Sequence, residues 1–269
     1  MTLFDWGSKT YLMGILNATP DSFSDDGIHQ DVDLMISRGI EMLSRGADVL
    51  DVGGESSKPP SVYGHINKVS EEEEIQRVVP IIRALSLESK AVISIDTYKA
   101  KVAKAAILAG ARMVNDIWGL GRDSEMAHLI ADTEVYVVIM HNTEFPQYKD
   151  VVKDTVEFLK NRVDFAVSAG INKNKIIVDP GIGFAKGVEQ NLQILNRLHE
   201  YKILGVPVMV GTSRKSTIGE ILELPVDDRI EGTAATVSVA IARGVDMVRV
   251  HDVQEMYRIS KMTDAIVRG

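Results

Sequence analysis

A recurring segment constrains the fold of this chain more than any other feature of its sequence. The three clearest copies are RGADVLDV (45–52), AGARMVND (109–116) and RGVDMVRV (243–250). In each copy a helix-like segment ends at a glycine, a common left-handed stop, and an apolar strand begins one or two residues later. Looser copies follow Gly170 and Gly205. Helices that alternate with strands across such short connections predict parallel βα units.

Eight apolar runs are predicted strands, with helical patterns between them. The strands are 11–16, 49–52, 91–95, 113–114, 135–140, 176–178, 206–210 and 247–250. Eight strand–helix units in 269 residues predict an α/β fold, a (β/α)8 TIM barrel in which residues 1–269 form a single domain. An open doubly wound sheet is the alternative, and it is disfavoured because no G-x-G-x-x-G follows the first strand.

The predicted helices carry their own boundary signals. They cover 31–44, 98–108, 123–131, 151–169, 188–201, 227–242 and 254–267, and a further helix opens after Ser70. Ser70 and Glu73 have the spacing of a capping box, which marks the start of that helix. Pro80 follows within it, and the sequence predicts that this proline kinks or shortens the helix.

Composition excludes several classes of partner and chemistry. The net charge is −8 and the chain has no Lys/Arg-rich run, so we expect no nucleic-acid partner. No apolar stretch reaches the roughly 18 residues that span a bilayer, so we expect no membrane partner. The first residues do not resemble a secretory signal, which makes the cytoplasm the expected compartment. The absence of cysteine excludes disulfides and thiol chemistry.

Polar residues follow each predicted strand, where barrel enzymes place their active sites. Three of them, Asp96, Asn115 and Asp179, come from the third, fourth and sixth strands and are expected to converge. Carboxylates beside an amide suit a flat heterocycle that carries both donors and acceptors. The alternative is that the two acids cap the helices that follow them, because Asp is a good N-cap.

Cationic groups follow the last two strands. Ser213, Arg214 and Lys215 come after the seventh strand, and Arg249 and His251 lie two apart in the eighth, facing the same side. Barrels often bind phosphate in these loops, so a phosphorylated ligand is predicted. The alternative is that the cations are solvated at the rim.

Metal and nucleophile motifs are nearly absent. The six histidines form no H-x-H or H-E-x-x-H set, which makes a zinc site improbable. Mg²⁺ held mainly by substrate phosphates is easier to support, and Asn17 could supply one oxygen. The sequence has no Ser/His/Asp triad and no G-x-x-x-x-G-K-[ST] loop, so ATP-dependent phosphoryl transfer is not indicated.

The chain resembles the dihydropteroate synthases, a family of pterin-binding barrels. The matching segments span nearly the whole chain in the family's order: GILNATPDSFSDDG (14–27), GADVLDVGGESSKP (46–59), SIDTYK (94–99), VNDIWG (114–119), IMHN (139–142), DPGIGFAK (179–186), TSRKS (212–216) and VRVHDV (248–253). The resemblance implies condensation of 4-aminobenzoate with 6-hydroxymethyl-7,8-dihydropterin diphosphate, assisted by Mg²⁺. It also implies a homodimer, for which the helices at 230–242 and 256–267 are candidate interfaces.

The resemblance assigns residues to each substrate. The pterin would be held by Asp96, Asn115, Asp179 and Lys215, and the diphosphate by Asn17, Ser57, Lys58, Arg249 and His251. The aminobenzoate would lie against Phe23, Pro59, Phe184, Lys215 and Ser216, and Asn17 would contact Mg²⁺. Asp179, Lys215, Asp21 and Asn17 are the implied catalytic residues.

The implied mechanism is a dissociative substitution at the pterin methylene. Diphosphate leaves first, Asp179 and Asp21 stabilise the cation, and the arylamine then attacks. The chain departs from the commonest family pattern at Ser57-Lys58, where lysine keeps a charge but loses the fork of arginine. Trp118 and Ala185 also replace commoner residues, although both occur in some bacterial members.

Two other functions compete with this interpretation. A pterin-barrel methyltransferase acting on a corrinoid would share the acid and amide cluster, but it has no need for TSRKS or for Arg249 with His251. A pterin-binding paralogue that does not condense its ligand is disfavoured because the matching polar positions keep competent residues.

Overall fold

The strands and helices follow one another as the recurring segment predicts. A computed structural model describes residues 3–18, 28–55 and 69–269. The strands are β1 (Tyr11–Asn17), β2 (Val49–Gly53), β3 (Val92–Asp96), β4 (Met113–Asp116), β5 (Tyr136–Met140), β6 (Ile176–Asp179), β7 (Met209–Val210) and β8 (Met247–Val250). The helices are α1 (Ile28–Ser44), α2 (Glu71–Glu88), α3 (Ala100–Ala109), α4 (Met126–Thr133), α5 (Val151–Ser168), α6 (Val188–Asn196), α7 (Ser216–Leu222), α8 (Ile230–Ala242) and α9 (Val253–Val267).

The eight strands form one parallel sheet that closes on itself. Their order is β6-β5-β4-β3-β2-β1-β8-β7. The two ends meet where Val178 pairs with Val208 and the Val178 N–H donates to the Pro207 carbonyl at 2.9 Å. This closure confirms the predicted (β/α)8 barrel and excludes the open doubly wound sheet.

Side chains alternate between two cores along each strand. Met13, Val49 and Met113 point into the barrel, whereas their neighbours Leu12 and Leu50 pack outward against the helices. This period of two is intrinsic to strand geometry. Burial of each such aliphatic side chain stabilises the fold by about 1.5–3 kcal/mol relative to exposure.

Aromatic side chains close the amino-terminal end of the barrel. The Phe4 ring stacks on Trp6 with centroids 4.6 Å apart and meets Tyr11 and Tyr136 edge-on at 4.9 and 5.1 Å. With that end filled, polar groups inside the barrel can meet a ligand only at the carboxyl ends of the strands.

The helix boundaries confirm some predictions and correct others. Gly46, Gly110 and Gly244 take φ values of 109°, 119° and 89°, as the predicted left-handed stops require. Ser70 caps α2 by accepting from the Glu73 N–H at 3.2 Å. However, α2 continues past Pro80 to Glu88, so the proline does not shorten the helix, and the alternative that it kinks the helix stays a prediction. Ile81, Ile82 and Leu85 are fully buried beyond the proline, and their packing offsets the lost hydrogen bond.

Two further boundaries differ from the predictions. The predicted helix at 188–201 ends at Asn196 and gives way to a 3-10 helix at Leu198–Leu204, and β7 covers only the end of the predicted 206–210 strand. Within the described ranges, no helix is both long and apolar enough to cross a membrane.

Candidate functional site

The alternation of the strands brings five polar side chains together inside the barrel mouth. Each lies at an inward position, two or four residues beyond an apolar residue of the inner core, as Asp96 does beyond Val92. The five are Asp51, Asp96, Asn115, Asp179 and Arg249. The predicted convergence of Asp96, Asn115 and Asp179 therefore follows from strand geometry.

Arg249 joins two of the acids. Its Nε donates to Asp51 Oδ2 at 2.7 Å and its Nη2 donates to Asp96 Oδ2 at 2.9 Å. Its side chain is only 18% exposed, so the alternative of a cation solvated at the rim is wrong for Arg249. Burial raises the pKa of Asp96 to about 7, although the Arg249 charge opposes that rise.

Neither predicted acid caps a helix. Asp96 pairs with Arg249, and α3 begins after Lys99 without a side-chain cap. Asp179 Oδ1 accepts from the N–H of Gly181 at 2.7 Å, well before α6 begins. Burial raises the pKa of Asp179, and the nearby Lys215 charge opposes the shift. The capping alternative is therefore wrong for both residues.

Lys215 reaches back from the loop after β7 to the loop after β6. Its ammonium group donates to the carbonyl of Ile182 and lies 4.7 Å from the centroid of the Phe184 ring. A Cβ on Gly183 would lie 2.8 Å from the lysine stem, so glycine leaves room for it. Burial lowers the pKa of Lys215 to about 8, while Asp179 opposes the shift.

Lys186 holds the β6 loop in shape, a role that the sequence did not indicate. Its Nζ donates to His141 Nδ1 at 2.9 Å, to the Gly181 carbonyl at 3.1 Å and to the Phe184 carbonyl at 3.0 Å. Burial lowers the pKa of Lys186 to about 7 and that of His141 to about 3. The neutral imidazole is therefore an acceptor for the lysine.

The loop also depends on Gly181, which leads to a stability prediction. Gly181 has φ +72°, and an added Cβ would lie 2.1 Å from the His141 carbonyl oxygen. Gly181→Ala should lower the free energy of unfolding by about 2–4 kcal/mol, from left-handed strain and overpacking. Denaturant titration measures this loss. The matched Gly187→Ala, at φ −76° with its nearest contact at 4.0 Å, should change stability by less than about 1 kcal/mol. Equal losses in the two variants would contradict the assigned role of Gly181.

Ser213 and His251 link the loops after β7 and β8. The backbone N–H of His251 donates to Ser213 Oγ at 3.2 Å, and ring Nδ1 lies 3.0 Å from the same oxygen. Burial lowers the pKa of His251 to about 4, and the Arg249 and Arg214 charges add to the effect. His251 is therefore neutral at pH 7.

Arg214 and Asp116 lie near the carboxyl ends of β7 and β4, but they form hydrogen bonds to the loops there and not to groups in the barrel mouth. Arg214, grouped with the phosphate-binding cations on sequence, takes φ +59° and donates through Nε to Asp252 Oδ2 at 3.0 Å. Its backbone carbonyl accepts from Arg229 Nη1 at 2.9 Å, which supports this strained conformation. Asp116 accepts from the backbone N–H of Trp118 and of Leu120, both at 2.8 Å.

The remaining predicted site residues divide into two groups. Asn17 is exposed at the carboxyl end of β1, and Ser216 is exposed at the first residue of α7. Five others lie outside the described residues: Asp21, Phe23, Ser57, Lys58 and Pro59.

Asp51 is the residue of this cluster that sequence reasoning missed. It is 0% exposed and accepts from both Arg249 and Asn115. The sequence did indicate this residue, because the apolar strand segment Val49-Leu-Asp-Val52 contains a carboxylate. Asp51 lies two residues after Val49, so it faces the same, inward side of the strand.

Comparison with known proteins relates this chain to pterin-binding enzymes. A sequence profile for pterin-binding enzymes matches residues 13–251. The dihydropteroate synthase of Clostridium beijerinckii is 52% identical over 266 residues, covering 98% of this chain and 97% of that protein.

Solved structures agree over nearly the full chain. A dihydropteroate synthase from Clostridium difficile, crystallised in the presence of pteroic acid, matches with a TM-score of 0.94 and 48% identity, covering 99% of this chain and 100% of that one. A Xanthomonas albilineans dihydropteroate synthase with 4-aminobenzoic acid gives a TM-score of 0.91 and 40% identity, covering 97% and 94%.

Proposed function

Since the chain belongs to the pterin-binding enzymes and, within them, to the dihydropteroate synthases, we propose which of its residues act in the reaction. The reaction is the condensation of 4-aminobenzoate with 6-hydroxymethyl-7,8-dihydropterin diphosphate. The carbon–oxygen bond at the pterin methylene breaks, and its electron pair leaves with the diphosphate. The amine of 4-aminobenzoate then attacks the methylene and loses a proton, which gives 7,8-dihydropteroate. The observation that carries the assignment is the buried cluster of Asp96, Asn115 and Asp179 with Arg249 and Lys215 beside it.

The acid and amide cluster binds the pterin ring. Asp179 uses Oδ1 for the Gly181 N–H, which leaves Oδ2 to accept from ring nitrogens. Asp96 and Asn115 lie opposite each other in the register of β3 and β4 and complete a polar rim around a flat ligand. Pairing with these acids stabilises the positive charge that spreads over the ring when diphosphate leaves.

The diphosphate binds where β1 and β8 end. Arg249 supplies charge. The Ser213 hydroxyl can donate to Nδ1 of the neutral His251 ring, and in that arrangement Nε2–H would donate to a phosphate oxygen. The sequence assigns Ser57 and Lys58, which follow β2 in the chain, to the same substrate, and they would complete the group of residues that binds the diphosphate.

Asn17 would hold Mg²⁺ through its carboxamide oxygen. This oxygen faces the mouth, 3.9 Å from the position of a Cβ built on Gly53. The described residues contain no group of three acid or histidine ligands, and this donor set fits an ion carried mainly by phosphate oxygens and water. An ion held there would supply positive charge beside the phosphate oxygens.

The aminobenzoate binds beside the pterin, between the loops after β6 and β7. Phe184 offers a ring face, and Lys215 lies against that face where it can meet the carboxylate or the pterin. Ser216, the first residue of α7, follows Lys215 directly and would border the same space. Phe23 and Pro59 are assigned to this pocket from the sequence, and Asp21 to the cationic centre.

A homodimer in the cytoplasm is also part of the proposal. Apolar side chains on the outer faces of α8 and α9 support a subunit interface there, since Val239 is 45%, Met262 63% and Ile266 70% exposed.

A labelled-substrate assay tests the proposed reaction. The chain should incorporate labelled 4-aminobenzoate into 7,8-dihydropteroate when it is given the pterin diphosphate and Mg²⁺. Chelation of Mg²⁺ should abolish at least 90% of the incorporation, and added Mg²⁺ should restore it. The free pterin alcohol serves as the control, because it lacks the leaving group. Binding of both substrates without product would overturn the proposal in favour of a non-catalytic pterin-binding protein.

A further inference from the structure

Asp51 lies one layer deeper in the barrel than the proposed ring-binding residues. In the register of β2 and β3 it pairs with Ser94, whereas Asp96 pairs with Gly53. It is 0% exposed, and the ligand in the proposed function would contact the residues above it. An acid buried to this depth is costly unless it is paired, so its contacts indicate its role.

A single oxygen of Asp51 holds two of those residues. Oδ2 accepts from Asn115 Nδ2 at 2.9 Å and from Arg249 Nε at 2.7 Å. These donors come from β4 and β8, which are not neighbours in the sheet. One carboxylate therefore couples two sides of the mouth.

The contact with Asn115 fixes which way its amide faces. An ionised carboxylate only accepts, so the amide nitrogen must face Asp51 and the amide oxygen must turn away from it. A flip would bring the oxygen against Asp51 Oδ2 and lose the hydrogen bond. Asn115 therefore presents its donor and acceptor to a ring ligand in one fixed order.

The contact with Arg249 fixes the guanidinium in the same way. Nε is bound to Asp51 and Nη2 to Asp96, so both positions of one edge are taken. Of the three guanidinium nitrogens of Arg249, only Nη1 has no hydrogen-bond acceptor among the described residues. The two acids thus orient the arginine so that both N–H groups of Nη1 and the second N–H group of Nη2 remain for a ligand.

We infer that Asp51 is a positioning residue, which orients the Asn115 amide and the Arg249 guanidinium for the pterin diphosphate without touching it. This inference rests on the proposed function, because it assumes that Asn115 and Arg249 meet that substrate. It adds a specific role for a residue in the strand beneath the mouth.

Calorimetric titration with 6-hydroxymethylpterin and with its diphosphate tests the inference. Asp51→Asn keeps the size of the side chain but removes its charge, and it should weaken both ligands by about 10- to 100-fold. The matched control is Ser94→Ala. Ser94 is equally buried and is next to Asp51 in register, and its hydroxyl has no partner within the described ranges, so affinity should change by less than about twofold.

A double-mutant cycle separates positioning from general damage. In an Asn115→Ala background, Asp51→Asn should weaken the free pterin by less than about threefold, because the amide that it orients is gone. If Asp51→Asn weakens pterin binding by the same factor in the Asn115→Ala background as in the unmodified chain, the inference is overturned. If the unmodified chain does not bind pterin at all, the proposed function itself fails; if it binds and Asp51→Asn binds equally well, only the role of Asp51 fails.

A measurement on the unmodified protein covers the case in which Asp51→Asn does not fold. One side-chain amide proton of Asn115 should exchange with solvent at least tenfold more slowly than those of the exposed Asn161 in NMR of the ligand-free protein. Equal exchange at the two residues would overturn the inference.

Discussion

Lys215→Met is expected to lower kcat/KM for the condensation by about 100- to 1,000-fold, the cost of removing a buried charge that faces an acid. The Lys215 ammonium group lies over the Phe184 ring and interacts electrostatically with the buried Asp179 carboxylate, and in the proposed function both substrates contact it. Its loss should raise KM for the pterin diphosphate and for 4-aminobenzoate together. Steady-state kinetics with each substrate varied in turn measures the effect.

The pH profile shows whether the lysine charge is responsible. Burial lowers the pKa of Lys215 to about 8, so the charged form is present below that pH and is lost above it. The wild-type kcat/KM should therefore fall above about pH 8, and Lys215→Met should lack this decline. Lys261→Met, which removes an exposed lysine from α9, should leave the profile unchanged. If kcat/KM of the Lys215→Met variant also fell above about pH 8, the assignment of this decline to Lys215 would be contradicted.

Arg249→Met is expected to weaken the pterin diphosphate at least tenfold more than the free pterin alcohol. The arginine is assigned to the phosphates, and a charge-assisted hydrogen bond in a buried site is worth about 1.5–3 kcal/mol. Both ligands should also lose some affinity, because Asp51 and Asp96 are left without their cation. Calorimetry with the two ligands measures the ratio, which does not change if part of the protein is unfolded.

Arg243→Met is the matched control for that ratio. Arg243 is exposed beyond α8 and donates to Asn196 Oδ1 at 3.0 Å, away from the mouth. Its loss should change both affinities by less than twofold. Equal losses for the two ligands in the Arg249 variant would show that the arginine does not act on the phosphates.

Features set by periodicity could be predicted from the sequence. The glycine stops at Gly46, Gly110 and Gly244 and the apolar runs after them specify the parallel βα units. The same period of two places Asp96 and Asn115 inside the mouth, because each follows an inward residue at even spacing. Asp51 also faces inward because it is two residues beyond Val49. However, it lies within its strand, and only the residues at the strand ends were considered as site candidates.

Features set by loop conformation could not be predicted. Arg214 follows β7 among cations, yet its left-handed backbone turns the side chain toward Asp252, 38 residues away in sequence. Lys186 organises the β6 loop through His141, a contact that exists only once β5 and β6 are side by side. The assigned roles of Asp21, Phe23, Ser57, Lys58 and Pro59 stay predictions, since those residues lie outside the described ranges.

A crystal structure of the chain with the pterin diphosphate and Mg²⁺ tests the central claim most directly. The account predicts the ring inside the barrel mouth, within hydrogen-bond distance of Asn115 and Asp179, and the phosphates against Arg249 and His251. A ring bound outside the mouth, or phosphates bound away from β8, would contradict it.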